Sequence, residues 1–358
     1  MAQDSPPTEA QLIRSAVELV RGRLPEGWTV SGPERTRGID DALCAITSID
    51  GRTVWFVIEA KVGTFTGRQA YATAALAAAA ETTESVPLLV ARYLSPPVRD
   101  LLEAAGVSYV DLTGNMRVVA TSPGLYIADR GEDKDPWRGS GRPRASLKGD
   151  PAARVVRALL DHARAWRVRD LIEASDASTG ATYRVMEHLD VEGLADRGED
   201  GLWRVPDWER LLRAWADDYG FLTANTVSRF IAPRGLAAFR RILLDADAAY
   251  AVTGAAASEE WASVAPTKSM FVYVEDIARA SAAWGLRPVD AGVNVVLLEP
   301  RVSDSAVFRG AGLLADGVRR AAPAQVAVDL LNGPGREPQE GEELLRWMRE
   351  NEREWRLP

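Results

Sequence analysis

The sequence contains very little cysteine and histidine. Its 358 residues include a single cysteine, Cys44, and two histidines, His162 and His188. One cysteine excludes a disulfide framework within the chain. So few thiol and imidazole ligands also argue against a structural zinc site.

Long apolar runs are missing as well. No stretch of about 18 apolar residues is present, so the sequence predicts no membrane span. The first ten residues, MAQDSPPTEA, are polar and acidic, and we expect no signal peptide. These absences predict a cytoplasmic protein. The richness in Ala, Arg and Asp is typical of a GC-rich bacterial genome.

Charge is distributed unevenly along the chain. The formal net charge of −8 argues against binding nucleic acid nonspecifically over the whole surface. Residues 130–170, however, contain 11 Lys or Arg against 6 Asp or Glu, while the C-terminal third is acidic. A basic middle between acidic flanks fits a DNA-binding module inside a larger protein. Chance clustering in a solvated linker is the alternative.

The order of predicted elements indicates an α/β protein of several domains. A helix over Glu9–Arg23 precedes strands over Val30–Ile49 and Thr53–Lys61, and a helix over 64–82 follows. The alternating helices and strands beyond it include strands in AAYAVTG, KSMFVYVED and GVNVVLLEP. A segment rich in Gly, Pro and charge then predicts a linker. The predicted layout is an α/β domain at 1–130, a linker at 131–150, a winged helix-turn-helix at 151–222 and a second α/β domain at 228–358.

The middle segment has the pattern of a winged helix-turn-helix. Three amphipathic helices are predicted in AARVVRALLDHA, VRDLIEAS and STGATYRVMEHLDVEGL, the third capped by Ser178 or Thr179. ADRGEDGLWRV then predicts a hairpin wing. The residues expected in the core of this unit are Val155, Val156, Leu159, Leu160, Val168, Leu171, Ile172, Val185, Leu189 and Leu194.

In such a unit the third helix enters the major groove of duplex DNA, and its N-terminal residues contact base edges. We expect Thr182, Tyr183, Arg184 and Glu187 on its exposed face, although Tyr183 and Met186 could instead belong to the core. His188 is expected to be an ordinary helix residue. The candidate DNA-binding residues are Arg167, Arg169, Thr179, Thr182, Tyr183, Arg184, Arg197 and Arg204. A winged helix that serves as a protein–protein module is the alternative.

Residues with the pattern of a metal-dependent nuclease occur in the first domain. Glu59 and Lys61 end an apolar strand on the same face, and the preceding strand could place Asp40 or Asp41 beside them. Two carboxylates could share a divalent cation, and a lysine could activate water for phosphodiester cleavage. A structural Glu–Lys pair at a strand end is the alternative.

This pattern resembles the PD-(D/E)xK restriction-endonuclease-like family, although Gly38 and Ile39 stand before the aspartates, where the motif has proline. The resemblance implies catalytic roles for Asp41, Glu59, Lys61 and Gln69, which could be vestigial, and Mg²⁺ ligands at Asp41 and Glu59. Few cations surround the motif, since 52–68 offers Arg52, Lys61 and Arg68. Separately, Asp111 with Gly114 and Asn115 predicts a tight turn. A position for Asp111 facing the Glu59 cleft is the alternative.

The last domain resembles the nucleotidyltransferase fold in the sequence AYAVTGAAASEEWA followed by MFVYVED. Ala255 stands where that fold has a serine, and MFVYV carries no carboxylate, so we expect a noncatalytic scaffold. The chain as a whole resembles AbiEi-family antitoxins and transcriptional regulators, through the winged helix, APAQVAVDLLNGPGR and EGEELLRWM. That resemblance implies a partner nucleotidyltransferase toxin.

The favoured function is a sequence-specific DNA-binding transcriptional regulator that needs no cofactor, and an AbiEi-like antitoxin is one form that such a regulator could take. The first alternative is a Mg²⁺-dependent DNA endonuclease targeted by its winged helix. The second is a pure antitoxin or interaction protein. A homodimer is the default assembly, because many such regulators bind two half-sites.

Overall fold

The protein forms two compact units. A computed structural model describes residues 7–35, 42–62, 65, 69–70, 73, 85–137, 146–198, 200–262, 266–302 and 305–358. The first unit comprises Met1–Pro143 with Glu187–Arg197, and the second comprises Arg144–Met186 with Gly198–Pro358. Both contain helices and sheet, which confirms the α/β class. The division into three domains stays a prediction.

Seven strands, β1 to β7, form the sheet of the first unit in sequence order. Their bounds are Thr29–Arg35, Ala42–Thr47, Thr53–Lys61, Ser85–Ala91, Ser108–Asp111, Met116–Ala120 and Leu125–Asp129. Strands β1 to β3 are antiparallel, β3 to β5 are parallel, and β5 to β7 are again antiparallel. The parallel strands end together, with Lys61 opposite Ala91 and Ala91 opposite Asp111.

Two helices of the first unit follow from amphipathic sequence. Helix α1 (Glu9–Arg21) buries the predicted stripe of Leu12, Ile13, Ala16, Val17 and Val20 in one cluster with residues of the sheet. Its N-terminus has a capping box, in which the Thr8 side chain accepts from the Gln11 amide. Helix α2 (Pro96–Ala104) contributes to a second cluster with β4 and β5.

The single strand predicted over Val30–Ile49 is wrong, because the chain reverses within it. Strands β1 and β2 pair antiparallel, with Thr29 opposite Thr47. Alternation of polar and apolar residues has the same period on both arms of a hairpin, so it does not show where the chain turns. The hairpin of β6 and β7 was not predicted either. The helix predicted over 64–82 lies mostly outside the described residues.

The second unit contains another seven-stranded sheet, with the order β13-β10-β14-β12-β11-β16-β15. Strands β12 and β14 are parallel, as are β11 and β16, and the other pairs are antiparallel. The bounds of β10 to β16 are Asn225–Ile231, Tyr250–Thr253, Met270–Val274, Arg287–Pro288, Val295–Pro300, Gly312–Leu313 and Arg319–Arg320. The strands predicted in AAYAVTG, KSMFVYVED and GVNVVLLEP are therefore confirmed.

Helices occupy much of the remaining chain. Helices α3 to α12 are Asp150–Asp161, Val168–Ser175, Thr179–Val191, Trp208–Asp218, Gly235–Leu244, Ala255–Ser258, Ile277–Ala283, Pro323–Leu331, Glu337–Glu350 and Glu352–Trp355. A 3₁₀ helix covers Ala306–Phe308, and the short strands β8 (Asp196–Arg197) and β9 (Trp203–Arg204) form a two-stranded sheet. In the part of the chain that is described, no helix is long and apolar enough to cross a membrane.

Candidate nucleic-acid interface

Three helices and a short two-stranded sheet occur in the order predicted for a DNA-binding unit. Helix α3 buries Val155, Val156, Leu159 and Leu160 almost completely, as its spacing predicts. In α4 Leu171 is fully buried, whereas Val168 and Ile172 are partly buried. In and after α5 the predicted core residues Val185, Leu189 and Leu194 are buried. The apolar pattern therefore predicted which face of each helix is covered.

The turn between α4 and α5 is tightly held. Asp176 ends α4 in the left-handed region, at φ 51°, and its amide donates to the Ile172 carbonyl at 3.0 Å. Its carboxylate accepts from Arg154 at 2.9 Å and from Arg309 at 2.8 Å. Ser178 then accepts from the Ala181 amide at 3.3 Å, so Ser178 rather than Thr179 caps α5. These contacts fix the start of α5 within the second unit.

The exposed face at the start of α5 differs from the prediction at one residue. Thr179, Arg184 and Glu187 are exposed, and Tyr183 is 57% exposed, so Tyr183 is not a core residue. Thr182 is fully buried, and its hydroxyl donates to the Ser178 carbonyl at 3.2 Å. The expectation that Thr182 lies on the exposed face is therefore wrong. A hydroxyl in the first turn of a helix can bond to the carbonyl four residues earlier, and Thr182 does so.

The predicted wing is present as the short strands β8 and β9. The Gly198 amide donates to the Leu202 carbonyl at 2.9 Å across the turn that joins the strands. Trp203 and Trp166 also exchange two backbone hydrogen bonds of 2.8 Å, which join the wing to the segment before α4. Trp166 is 1% exposed. The wing is thus anchored at its base by the backbone of a buried tryptophan.

The candidate DNA-binding arginines outside α5 lie on the surface. Arg167, Arg169, Arg197 and Arg204 are all exposed. Arg204 forms an ion pair with Asp200 at 2.5 Å, and the Arg204 side chain, with the Leu202 amide, lowers the pKa of the Asp200 carboxyl to about 2.

A polar groove lies in the second unit. Its volume is about 600 Å³, and Arg164, Arg204 and Arg356 are among its lining residues. The Arg164 guanidinium stacks over the Trp166 ring, 3.8 Å from its centroid. Arg356 instead donates to the Leu159, Leu160 and His162 carbonyls, so it holds the backbone together. Since Arg204 is paired with Asp200, and Asp207 and Glu352 also line the groove, its charges are of both signs.

Two of the four nuclease-like residues are adjacent in the first unit. Near the end of β3, Lys61 Nζ lies 2.7 Å from Glu59 Oε1, and both side chains are partly exposed. Gln69 is exposed in a helical segment. Asp41, like Asp40, lies outside the described residues, so its convergence with Glu59 and Lys61 stays a prediction. Within the described ranges, no group of three or more His, Cys, Asp or Glu could hold a metal ion.

Asp111 stabilises a tight turn, as one of its two interpretations predicts. It is fully buried, and its carboxylate accepts from the amides of Leu94 at 3.0 Å, Thr113 at 2.9 Å and Asn115 at 3.1 Å. Side chains of Thr113 and Asn115 donate to it as well. Gly114, at φ 101°, supplies the left-handed position of the turn. These donors occupy the carboxylate from within its own turn and from the segment that follows β4.

The nucleotidyltransferase-like segment shows an unexpected buried carboxylate. Gly254, at φ 67°, follows β11 and begins the short helix α8. The carboxylate of Glu337, from α11, bonds to the Ala255 amide, and the Glu337 residue is 6% exposed. Burial raises the pKa of Glu337 to about 8. All five residues of β12 are buried and apolar or aromatic, and Asp276 beyond it caps α9 by accepting from the Arg279 amide at 2.8 Å.

A second buried acid, Asp329 of α10, lies in the same unit. It accepts from the hydroxyls of Thr253 at 2.5 Å and Tyr273 at 2.9 Å, and from the Gln325 amide group at 2.9 Å. Burial raises its pKa to about 7. Neither Glu337 nor Asp329 was predicted from the sequence. Glu337 begins its helix and Asp329 lies within an apolar helical segment. At such positions an acidic side chain is usually expected to face solvent.

Comparisons with protein-family models, with curated proteins and with solved structures give no match.

Proposed function

We propose that the protein is a sequence-specific DNA-binding transcriptional regulator that acts in the bacterial cytoplasm. The observation that carries the proposal is the exposed start of α5, where Tyr183 and Arg184 project from a helix whose preceding turn is held by two arginines. In a helix-turn-helix, residues at this position reach base edges in the major groove. An arginine there can pair with guanine, and an exposed tyrosine adds apolar contact.

The arginines around α5 have a separate role in this proposal. Arg167, Arg169, Arg197 and Arg204 would contact phosphates, which fix the position of the protein on DNA without reading sequence. Thr179, at the first turn of α5, would contact phosphate in the same way. Thr182 is buried, so we do not include it in the interface. Because the net charge is −8, we expect the rest of the molecule to repel DNA, so that DNA binds at this surface alone.

Selection from a random duplex library tests the proposal. The intact protein should enrich a defined sequence, and gel shift in the presence of Mg²⁺ should show that this sequence is bound and remains uncut. Arg184→Ala should weaken binding and relax the preference at one position, whereas Arg241→Ala, an exposed arginine of α7, should leave both unchanged. A library that stays random after repeated rounds would overturn the proposal.

A Mg²⁺-dependent DNA endonuclease is the second candidate. The pairing of Glu59 and Lys61 on one face of β3 favours it, together with the parallel strands that end beside them. If Mg²⁺ binds, Glu59 and Asp41 would be its ligands and it would supply charge stabilisation at phosphate. Lys61, which forms an ion pair with Glu59, would position the attacking water. Plasmid cleavage by the wild type that disappears in Lys61→Ala would put this candidate first.

An antitoxin role would rest on the C-terminal α/β region rather than on the DNA-binding helix. We propose that this region is a noncatalytic scaffold that binds a nucleotidyltransferase toxin. The Glu337 side chain at the Ala255 amide supports this, since it occupies the backbone donor that a nucleotide phosphate would need. Copurification of a neighbouring-gene product with the full chain would test the role. A homodimer on two half-sites is the assembly we propose for the DNA-bound form.

A further inference from the structure

Helix α3 ends without a glycine cap in its own sequence. The last four carbonyls of a helix have no partner within it, and a glycine or asparagine after the helix commonly closes such an end. The segment His162–Ala165, which follows α3, contains neither residue type. The Ala158 carbonyl lies 3.2 Å from the His162 ring nitrogen Nδ1, so it has a local partner. The carbonyls of residues 159–161 need donors from elsewhere.

The donors for these three carbonyls are Arg356 and Leu357, far along the chain. Arg356 Nε donates to the Leu160 carbonyl at 2.8 Å, across 196 positions of sequence, and Arg356 Nη2 donates to the Leu159 carbonyl at 3.3 Å. The Leu357 amide donates to the Asp161 carbonyl at 2.8 Å. A cation is favourable at this end of a helix, since the helix dipole is negative there. Two neighbouring residues therefore cap α3 from a distance.

The same two residues hold the segment that follows α3. Arg356 Nη2 donates to the His162 carbonyl at 2.9 Å, and the Ala163 amide donates to the Leu357 carbonyl at 2.7 Å. The Arg356 side chain is 8% exposed and also pairs with Glu352 at 2.5 Å. Hydrogen bonds from a charged donor are strong, and burial keeps water from replacing them. The chain therefore leaves α3 in a direction that Arg356 and Leu357 fix.

This segment leads to arginines of the proposed DNA interface. Trp166 exchanges two backbone hydrogen bonds of 2.8 Å with Trp203 of the wing. Arg167 comes directly after Trp166 and is exposed at the start of α4. Arg204 comes directly after Trp203 and is exposed as well. The backbone that carries both arginines is thus connected to the capped end of α3.

The start of α5 has a different support. The turn before it is held by the Asp176 carboxylate, which accepts from Arg154 at 2.9 Å and from Arg309 at 2.8 Å. These contacts involve neither Arg356 nor Leu357. Loss of the α3 cap should therefore displace the segment before α4 and the base of the wing, and should leave the start of α5 in place.

We propose that Arg356, with the Leu357 backbone, positions the phosphate-contacting arginines of the DNA interface without touching DNA. Arg167 and Arg204 would reach phosphates only while these two residues cap α3. This role rests on the DNA-binding function proposed above, whereas the capping of α3 does not. Arg356 would thus set the affinity for any duplex, and the start of α5 would read its sequence.

Hydrogen exchange of the intact protein without DNA tests the capping. In Arg356→Ala and in Leu357→Pro, peptides that cover residues 159–167 should exchange roughly tenfold faster than in the wild type, because backbone bonds of that segment are lost. The Leu357 side chain is 60% exposed, and proline removes its amide donor. Leu357→Ala keeps that amide, so it is the matched control and should exchange like the wild type. Exchange that is unchanged in both Arg356→Ala and Leu357→Pro would overturn the capping and the positioning role together.

Anisotropy with the selected duplex and with an unrelated one, over a range of salt, tests the positioning role. It is measured at a temperature where circular dichroism shows each variant folded. Arg356→Ala and Leu357→Pro should weaken binding to both duplexes by roughly fivefold to tenfold and lower the salt slope by about one, the value for one phosphate contact. The ratio of the two affinities should stay that of the wild type. Arg353→Ala makes the same charge change at an exposed position of α12 and should leave affinity and slope unchanged.

The outcomes separate the positioning role from the DNA-binding function. Faster exchange with unchanged DNA affinity would overturn the positioning role alone. A changed ratio between the two duplexes would also contradict it, since Arg356 would then support the reading of sequence. An equal loss of affinity in Arg353→Ala would contradict it too, because charge alone would account for the effect. If the wild type binds no duplex, the DNA-binding function and the positioning role both fail, while hydrogen exchange still decides the capping of α3.

Discussion

Compared with the wild type, the variant Glu337→Gln should be increasingly stable as the pH rises, because the wild type loses free energy of unfolding through this residue over that range and the variant does not. Glu337 is 6% exposed, and burial raises its pKa from 4.5 to about 8. Glutamine keeps the shape of the protonated acid and an oxygen that can accept from the Ala255 amide. The substitution therefore removes the ionisation and leaves the packing in place.

The sign follows from the number of protons that each state binds. Between pH 4.5 and 8 the folded state keeps the Glu337 proton and the unfolded state loses it, so the free energy of unfolding falls as the pH rises. The slope for one group is about 1.4 kcal/mol per pH unit. Between pH 5 and 8 the wild type should thus lose about 4 kcal/mol relative to Glu337→Gln, and the loss should level off above pH 8. Asp329, with a pKa raised to about 7, adds a similar loss at lower pH in both proteins.

Urea unfolding at pH 5, 6, 7, 8 and 9, followed by tryptophan fluorescence, measures this difference. Trp261 stacks on Trp347 of the same helix as Glu337, which gives the signal a local reporter. Glu350→Gln, at the exposed end of that helix, is the control, and its effect should stay within about 0.5 kcal/mol at every pH. A gap between Glu337→Gln and wild type that is the same at pH 5 and pH 9 would refute the reasoning.

Two further predictions concern the second unit and one concerns the first. Arg157→Ala should destabilise by about 3–5 kcal/mol in urea unfolding, because it leaves Asp161 without its 2.9 Å ion-pair partner and removes the hydrogen bonds to the Ala306 and Arg309 carbonyls. A loss below about 1 kcal/mol would show that the segment around the 3₁₀ helix is held by other contacts. Incubation with labelled nucleoside triphosphates, magnesium and RNA or protein acceptors should label nothing, and label transfer that is lost in Glu275→Ala would contradict a noncatalytic scaffold. Asp111→Ala should lower stability by roughly 1–3 kcal/mol or more, since buried amides of its turn lose their acceptor, and a thermal melt unchanged from wild type would contradict the role of that turn.

The sequence predicted packing better than it predicted polar contacts. Helical spacing located the buried faces of α1, α3 and α5, because burial of apolar side chains repeats with the helix period. It failed at Thr182, whose hydroxyl bonds back to Ser178, since residue type alone does not distinguish a back-bonded threonine from an exposed one. The reversal between β1 and β2 was missed for a similar reason.

The buried acids could not have been found from local pattern. Each buried acid contacts a group that is distant in the sequence. Glu337 contacts Ala255, and Asp329 contacts Thr253. Their partners are decided by how helices α10 and α11 pack near β11, and the sequence carries no periodic signal for such a contact. Glu59 and Lys61 were recognisable because both stand on one strand, two residues apart.

The central claim is that α5 and the arginines around it bind duplex DNA. The most direct test is the affinity of the Arg167, Arg169, Arg184 triple alanine variant for the selected duplex and for an unrelated one, measured by anisotropy over a range of salt. We expect Arg184 to contribute roughly 1–3 kcal/mol of discrimination between the two duplexes. Loss of Arg167 and Arg169 should weaken binding to both and reduce the slope of log affinity against log salt by about two. Affinity and salt slope unchanged from the wild type would contradict the claim.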